Sequence, residues 1–223
     1  MLAHLVALVL ASAPVPAPAA EPAPRYYVVL FGGQSIPFQP RTAHTFATFV
    51  KATPAADGAM AVEQVTISWL PADRTVEPSR LRASTGKNFT LAETFDIMAK
   101  NNARVSMWGP FETDATRYAL AAQQAATLAS GAVRFRTLDS LGRNRDVQHC
   151  VHAVTFADPN LQWLRQPVLR VGEPGTSKLA GRYADSGAFV GTATHDWLLP
   201  ALGLDQHPVV RREPGERIPR QWR

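Results

Sequence analysis

The chain has 223 residues, of which 46% are hydrophobic and 18% are charged, and its formal net charge is +5. This length suits one domain with a hydrophobic core of its own. The positive charge is concentrated at one end, because residues 206–223 contain five Arg and two Glu and so supply +3 of the +5. The remaining +2, with no basic stripe interleaved with aromatic residues, argues against nucleic-acid binding.

Residues 1–19 have the features of a secretory signal peptide. The apolar run at residues 2–11 is too short to span a bilayer, and Ala17-Pro18-Ala19 fits a small-residue cleavage motif. Because no Lys or Arg precedes the apolar run, an uncleaved N-terminal anchor is the alternative. We predict a secreted or periplasmic protein with no integral membrane span after cleavage.

After a flexible leader at residues 20–25, the sequence predicts a single domain at residues 26–205 and a solvated basic extension at residues 206–223. Three strands are predicted first, at residues 26–31, 42–52 and 62–70. In the third strand the side chains alternate: Val65, Ile67 and Trp69 point to one face, and Gln64, Thr66 and Ser68 to the other.

Helices follow these strands. Thr90-Leu91-Ala92-Glu93 is a capping box, and the alanine-rich stretch at residues 115–129 is the clearest helix. The weaker predicted segments are residues 104–108 (a strand ended by Gly109-Pro110), 133–138, 168–171, 188–190 and 197–202. Strands, then helices, then strands predict an α+β fold, with an antiparallel sheet and flanking helices.

Cys150 is the only cysteine, so no disulfide can form within the chain. It lies at the start of an apolar run, after a polar loop at residues 139–146 in which Asp146 is a possible N-cap. Arg143 and Arg145 add positive charge, and a helix start beside cations lowers the pKa of a thiol. A buried structural cysteine is the alternative.

A nucleophilic cysteine needs a base within hydrogen-bond reach. His149 and His152 are poor candidates, because residues at i−1 and i+2 do not face residue i of a helix. His44, at the start of the second predicted strand, is the best candidate, and His195 is a weaker one. Gln64, Thr66 or Ser68 of the next strand could orient the imidazole. His207 is predicted to be solvated.

This order of elements resembles the circularly permuted papain-like group, which includes relatives of the NlpC/P60 hydrolases and the lecithin:retinol acyltransferase-like proteins. His44-Thr45-Phe46-Ala47 takes the place of the histidine strand in that group. His149-Cys150-Val151-His152-Ala153 takes the place of the cysteine helix start, with His149 where the group often has Asn. The resemblance covers residues 26–157 and implies a permuted papain-like fold with Cys150 as nucleophile and His44 as base.

The site implied by the resemblance lies between residues 44–70 and 146–154, with Gln64 or Thr66 as the orienting residue. It would require no cofactor. The chemistry would be thiol hydrolysis or acyl transfer on an amide or ester, and the substrate a peptide, a cell-wall peptide or a lipid.

Two other functions remain open. A metal site could use Cys150, His152 and either His44 or His195, although no spacing motif supports it. Alternatively, the chain is a non-catalytic secreted binding or interaction domain with a structural cysteine.

Overall fold

A computed structural model describes residues 23–55, 57–138, 146–161 and 171–219. It shows an α+β fold with nine strands and five helices among these residues. The strands are β1 (Arg25–Ser35), β2 (His44–Pro54), β3 (Met60–Ile67), β4 (Trp69–Pro71), β5 (Ser84–Asn88), β6 (Ala103–Thr113), β7 (Arg134–Phe135), β8 (Val147–Gln148) and β9 (Val209–Arg211). The helices are α1 (Leu91–Lys100), α2 (Ala115–Ala129), α3 (Cys150–Thr155), α4 (Gly172–Asp185) and α5 (Leu198–Ala201).

The strands form two mixed sheets. The larger has the order β3-β2-β1-β6-β9 and the smaller the order β4-β5-β7-β8. As predicted, the second and third strands are antiparallel neighbours, β2 with β3, and β1 joins the same sheet, antiparallel to β2. Neither sheet is antiparallel throughout, because β9 joins β6, and β8 joins β7, in the parallel direction.

Successive side chains of each strand point to opposite faces, so the larger sheet has one apolar core on each face. The first core, which we call the α3 face, contains Leu30, Ala47 and Ile67 together with residues of α2, α3 and α4. The second, the α1 face, contains Phe31, Phe46 and residues of α1 and α5. A side chain on an inner strand therefore belongs to one face or the other.

The two clearest helix predictions are confirmed. In α1, Thr90 and Glu93 form the complete capping box, with the Glu93 backbone N–H donating to the Thr90 hydroxyl. In α2, Asp114 accepts from the Arg117 backbone N–H. Both helix starts were predictable because the signal lies within four consecutive residues.

Helix α4 was not predicted. Its sequence contains Gly172, Pro174 and Gly175, residues of low helix propensity that hide the amphipathic pattern. It packs closely on β1, where a Cβ atom at Gly32 would come within 2.6 Å of Thr176 Oγ1. The close approach of helix and strand depends on that glycine.

Other weak segments also differ from the prediction. Strand β6 continues through Gly109 and Pro110 with a register shift opposite β1, instead of ending there. The predicted strand at residues 133–138 has only two strand residues, those of β7. Residues 188–190 belong to no strand, and α5 lies within residues 197–202. Most of the predicted segments at 139–146 and 168–171, and all of the signal peptide, fall outside the described residues.

The prediction of a solvated extension after residue 205 was wrong for the part that the structure describes. Strand β9 pairs with β6, Ile218 is buried, and Trp108 Nε1 donates to the backbone oxygen of Glu213 at 3.0 Å. His207 stacks on Phe95 with ring centroids 4.2 Å apart, so it is not freely solvated either. Residues 206–219 are therefore part of the domain.

Across the described residues, none of the helices has the length and apolar character needed to cross a membrane.

Candidate functional site

His44 is the first residue of β2, and its ring lies on the α1 face. Its Nε2 atom is 2.9 Å from Ser68 Oγ, and the ring stacks on Phe46 with centroids 5.3 Å apart. The hydroxyl of Thr94, on α1, donates to Ser68 Oγ at 2.7 Å. A short chain of two hydroxyl groups and an imidazole thus joins β2 to α1.

Burial determines the protonation state of His44. The residue is 1% exposed, and burial lowers the pKa of its imidazole to about 3. Its Nδ1 atom has no hydrogen-bond partner among the described residues. The ring is therefore neutral at physiological pH and does not reach solvent, which is unfavourable for a general base.

Of the three residues predicted to orient His44, the structure brings only Ser68 to it. Thr66 pairs with Thr48 in the β2–β3 register, and their hydroxyl oxygens are 3.0 Å apart. Gln64 pairs with Val50, further along β2, and is exposed. The assignment of Gln64 or Thr66 as the orienting residue was therefore wrong.

Cys150 is the first residue of α3, so the prediction that it lies in the first two turns of a helix is confirmed. The predicted N-cap, Asp146, is not the cap. His149 is, with Nδ1 accepting the backbone N–H groups of Val151 at 3.0 Å and His152 at 3.2 Å. An imidazole nitrogen that accepts two N–H groups carries no proton, so the cap requires Nδ1 of His149 to be unprotonated.

Cys150 belongs to the core of the α3 face and is 5% exposed. The backbone just before it is fixed by Trp69, whose Nε1 donates to the backbone oxygen of Gln148 at 3.1 Å. The rings of His149 and His152 stack on each other, with centroids 4.2 Å apart. Cys150 and Trp69 thus belong to the same buried core, and the residues on either side of Cys150 are ordered by the tryptophan and by the histidine stack.

The structure does not bring Cys150 and His44 together. Cys150 packs in the core that contains Ala47 and Ile67, whereas His44 stacks on Phe46 and contacts α1. Successive residues of a strand point to opposite faces, so β2 separates the two side chains. The expectation that they meet at one cleft was wrong in this arrangement, because the sequence pattern did not specify on which face α3 packs.

A metal site built from Cys150, His152 and a second histidine is not formed. No group of three His, Cys, Asp or Glu residues is placed to hold a metal ion within the described part of the chain. His195 lies with the α1 face, its ring centroid 4.8 Å from that of Tyr27 and its Nε2 atom 3.9 Å from Glu112. Its ring therefore packs on the α1 face and not in the α3 core that contains Cys150.

A buried ion pair that the sequence did not indicate lies where α4 begins. Glu173 is 0% exposed, and its carboxylate accepts from Arg104 Nε at 2.9 Å and Nη2 at 2.5 Å and from Ser106 Oγ at 2.5 Å. Arg212 Nε donates to Ser106 Oγ at 3.2 Å. The network connects β6, α4 and the C-terminal segment, and no motif in the sequence could have revealed it.

A groove of about 280 Å³ lies between α2 and β8. Its polar lining is Gln123, Gln124, Thr127, Asp146 and Gln148. Gln124 Nε2 donates to Gln148 Oε1 at 2.7 Å, which orders two of these amides. The groove has room for a small ligand or for one or two side chains of a peptide.

Comparisons with protein-family models, with curated proteins and with solved structures gave no match for this chain. The resemblance to the permuted papain-like group therefore stays a prediction. The fold itself is mixed α+β, with helices on both faces of its larger sheet.

Proposed function

We propose that the protein is a non-catalytic, exported binding domain in which Cys150 and His44 stabilise the fold. The observation that carries this proposal is that the two residues lie on opposite faces of the larger sheet, each in its own buried surroundings. A histidine whose pKa is about 3, on the opposite face of the sheet from the thiol, is unsuited to act as the base of acyl transfer at neutral pH.

Thiol labelling across pH tests the proposal. A structural Cys150 reacts slowly in the folded protein, with a rate that keeps rising toward pH about 8.5, the pKa of a free thiol, and reacts at least tenfold faster after unfolding in urea. His44→Gln should leave the shape of this pH profile unchanged. A rate that reaches a plateau well below pH 8.5 in the wild type, and loses that plateau in His44→Gln, would overturn the proposal.

The second candidate is an exported thiol hydrolase or acyltransferase acting on an amide or ester of a peptide, a cell-wall peptide or a lipid. Its support is the position of Cys150 as the first residue of α3. Because His44 lies on the other face, this candidate requires a different base. A low-pH plateau that persists in His44→Gln would favour it over the binding domain.

Export is part of both candidates, and we expect residues 1–19 to be removed. N-terminal sequencing of the exported protein checks this, and a sequence that still begins at Met1 would contradict cleavage.

A further inference from the structure

A cleft between the β4–β5 connection and the end of β7 collects three arginine side chains. The cleft has a volume of about 10 Å³. It is lined by Arg80, Arg82, Arg136 and Glu77, with the hydroxyl residues Thr75, Ser84 and Thr137 around them. Three guanidinium groups against one carboxylate give the lining a formal net charge of +2.

The loop that carries Arg80 and Arg82 is attached to the segment around β7 by hydrogen bonds. Arg136 Nη1 donates to the backbone oxygen of Leu81 at 3.3 Å, and Thr137 Oγ1 donates to that of Glu77 at 3.2 Å. Ser84 is paired with Phe135 in the small sheet. The loop that carries Arg80 and Arg82 is therefore anchored at the edge of the cleft.

One guanidinium donor beside the cleft is buried. Arg136 Nε lacks a partner among the described residues, although a guanidinium N–H normally has one when it is buried. Among the described residues of the lining the only acid is Glu77, which is 3.7 Å from Arg80, and both of these side chains are exposed. The described lining thus carries more positive charge than its own carboxylate balances.

We infer that this cleft binds a phosphoryl group. The inference rests on the binding function proposed above and names the class of ligand. A phosphate monoester carries a charge of about −1.5 to −2 at pH 7, which balances the lining, and its oxygens accept from guanidinium and hydroxyl groups together. A volume of about 10 Å³ admits roughly one water-sized atom. The phosphoryl group therefore stays at the mouth of the cleft, against the exposed residues Arg80 and Arg82.

Leu81, between the two arginines, is 68% exposed. An exposed apolar side chain flanked by cations suits the boundary between lipid head groups and acyl chains. The phosphoryl group could thus come from free phosphate or from a lipid head group, and the experiment separates these two sources.

Binding is measured at low ionic strength with two probes, inorganic phosphate by calorimetry and vesicles of phosphatidic acid by co-sedimentation. Phosphatidylcholine vesicles are the control for the second probe. We expect the double variant Arg80→Gln/Arg82→Gln to bind whichever probe is recognised at least tenfold more weakly. Arg41→Gln/Arg211→Gln removes the same charge from exposed positions elsewhere and should bind as the wild type does. Circular dichroism of each variant checks that it is folded.

Binding of phosphate that the cleft variant loses supports a site for free phosphate. Binding of phosphatidic acid vesicles alone, lost also in Leu81→Ser, supports a lipid source. The inference is overturned if neither probe binds, if the cleft variant binds as the wild type does, or if both double variants lose binding equally, which would be a non-specific charge effect. These outcomes are independent of thiol labelling, so a reactive Cys150 would contradict the proposed function without affecting the phosphoryl site.

Discussion

His44 Nε2 and Ser68 Oγ lie 2.9 Å apart, across the β2–β3 pair and against helix α1. Thr48 is opposite Thr66 in the register. His44 lies four residues before Thr48, whereas Ser68 lies only two residues after Thr66, so the two side chains are diagonal neighbours. It fixes the histidine in an apolar environment where protonation is unfavourable.

We expect stability to fall in acid because of His44. The unfolded histidine binds a proton below pH about 6.5, whereas the folded one stays neutral until its pKa of about 3. The contribution of His44 to stability is therefore complete above pH 6.5 and is lost as the pH falls toward 3. We expect a loss of about 2 kcal/mol between pH 7 and pH 5. Urea unfolding at a series of pH values measures this, and His44→Gln should show a shallower dependence.

Ser68→Ala is the matched control for that experiment. It removes the hydrogen bond but leaves the imidazole buried. The free energy of unfolding should therefore drop by about 1–3 kcal/mol at every pH, while its dependence on pH stays as steep as in the wild type. If the free energy of unfolding of His44→Gln fell with pH as steeply as that of the wild type, other groups would be the cause of the acid sensitivity.

The buried ion pair between Arg104 and Glu173 should be the most sensitive polar contact of the fold. Arg104→Met leaves the Glu173 carboxylate buried without its partner and should cost about 3–5 kcal/mol in urea unfolding. Lys51→Met breaks the exposed pair with Glu63 and should change stability far less. Similar losses in both variants would mean that the burial of Glu173 has no energetic consequence.

Replacing His149, the N-cap of α3, should destabilise the protein because two backbone N–H groups lose their acceptor. His149→Ala leaves those of Val151 and His152 without their acceptor, at a cost of about 0.5–2 kcal/mol. His149→Asn supplies another N-cap acceptor and should recover part of the loss. Thermal unfolding of the three proteins checks this, and an Asn variant no more stable than Ala would argue against a capping role.

The C-terminal segment should be required for stability. A chain ending at Gln206 loses β9, the buried Ile218 and the acceptor of Trp108 Nε1, and we expect a loss of about 3 kcal/mol or more. Arg211→Gln, which removes only an exposed ion pair with Asp196, is the control and should remain close to the wild type. Equal melting temperatures for the truncated and complete chains would restore the prediction of a solvated extension.

The sequence by itself determined those elements whose signals are local. The capping box Thr90–Glu93, the alternation of residues 64–69 between two faces and the apolar run after Cys150 each specify structure within a few residues, and each pattern is found. The single strand predicted at residues 62–70 is instead divided between β3 and β4, which belong to different sheets. The antiparallel pairing of β2 with β3 also followed from the sequence, because a short turn joins these two strands.

Only the tertiary structure decided which face of the sheet each helix covers. Alternation along β2 separates His44 from Ala47, but it does not specify whether α1 or α3 packs on the side of the histidine. That choice depends on contacts between residues far apart in the chain, such as Thr45 with Thr176 and Ser106 with Glu173. For the same reason the sequence indicated a cysteine and a histidine of catalytic type but could not show that a β-sheet lies between them.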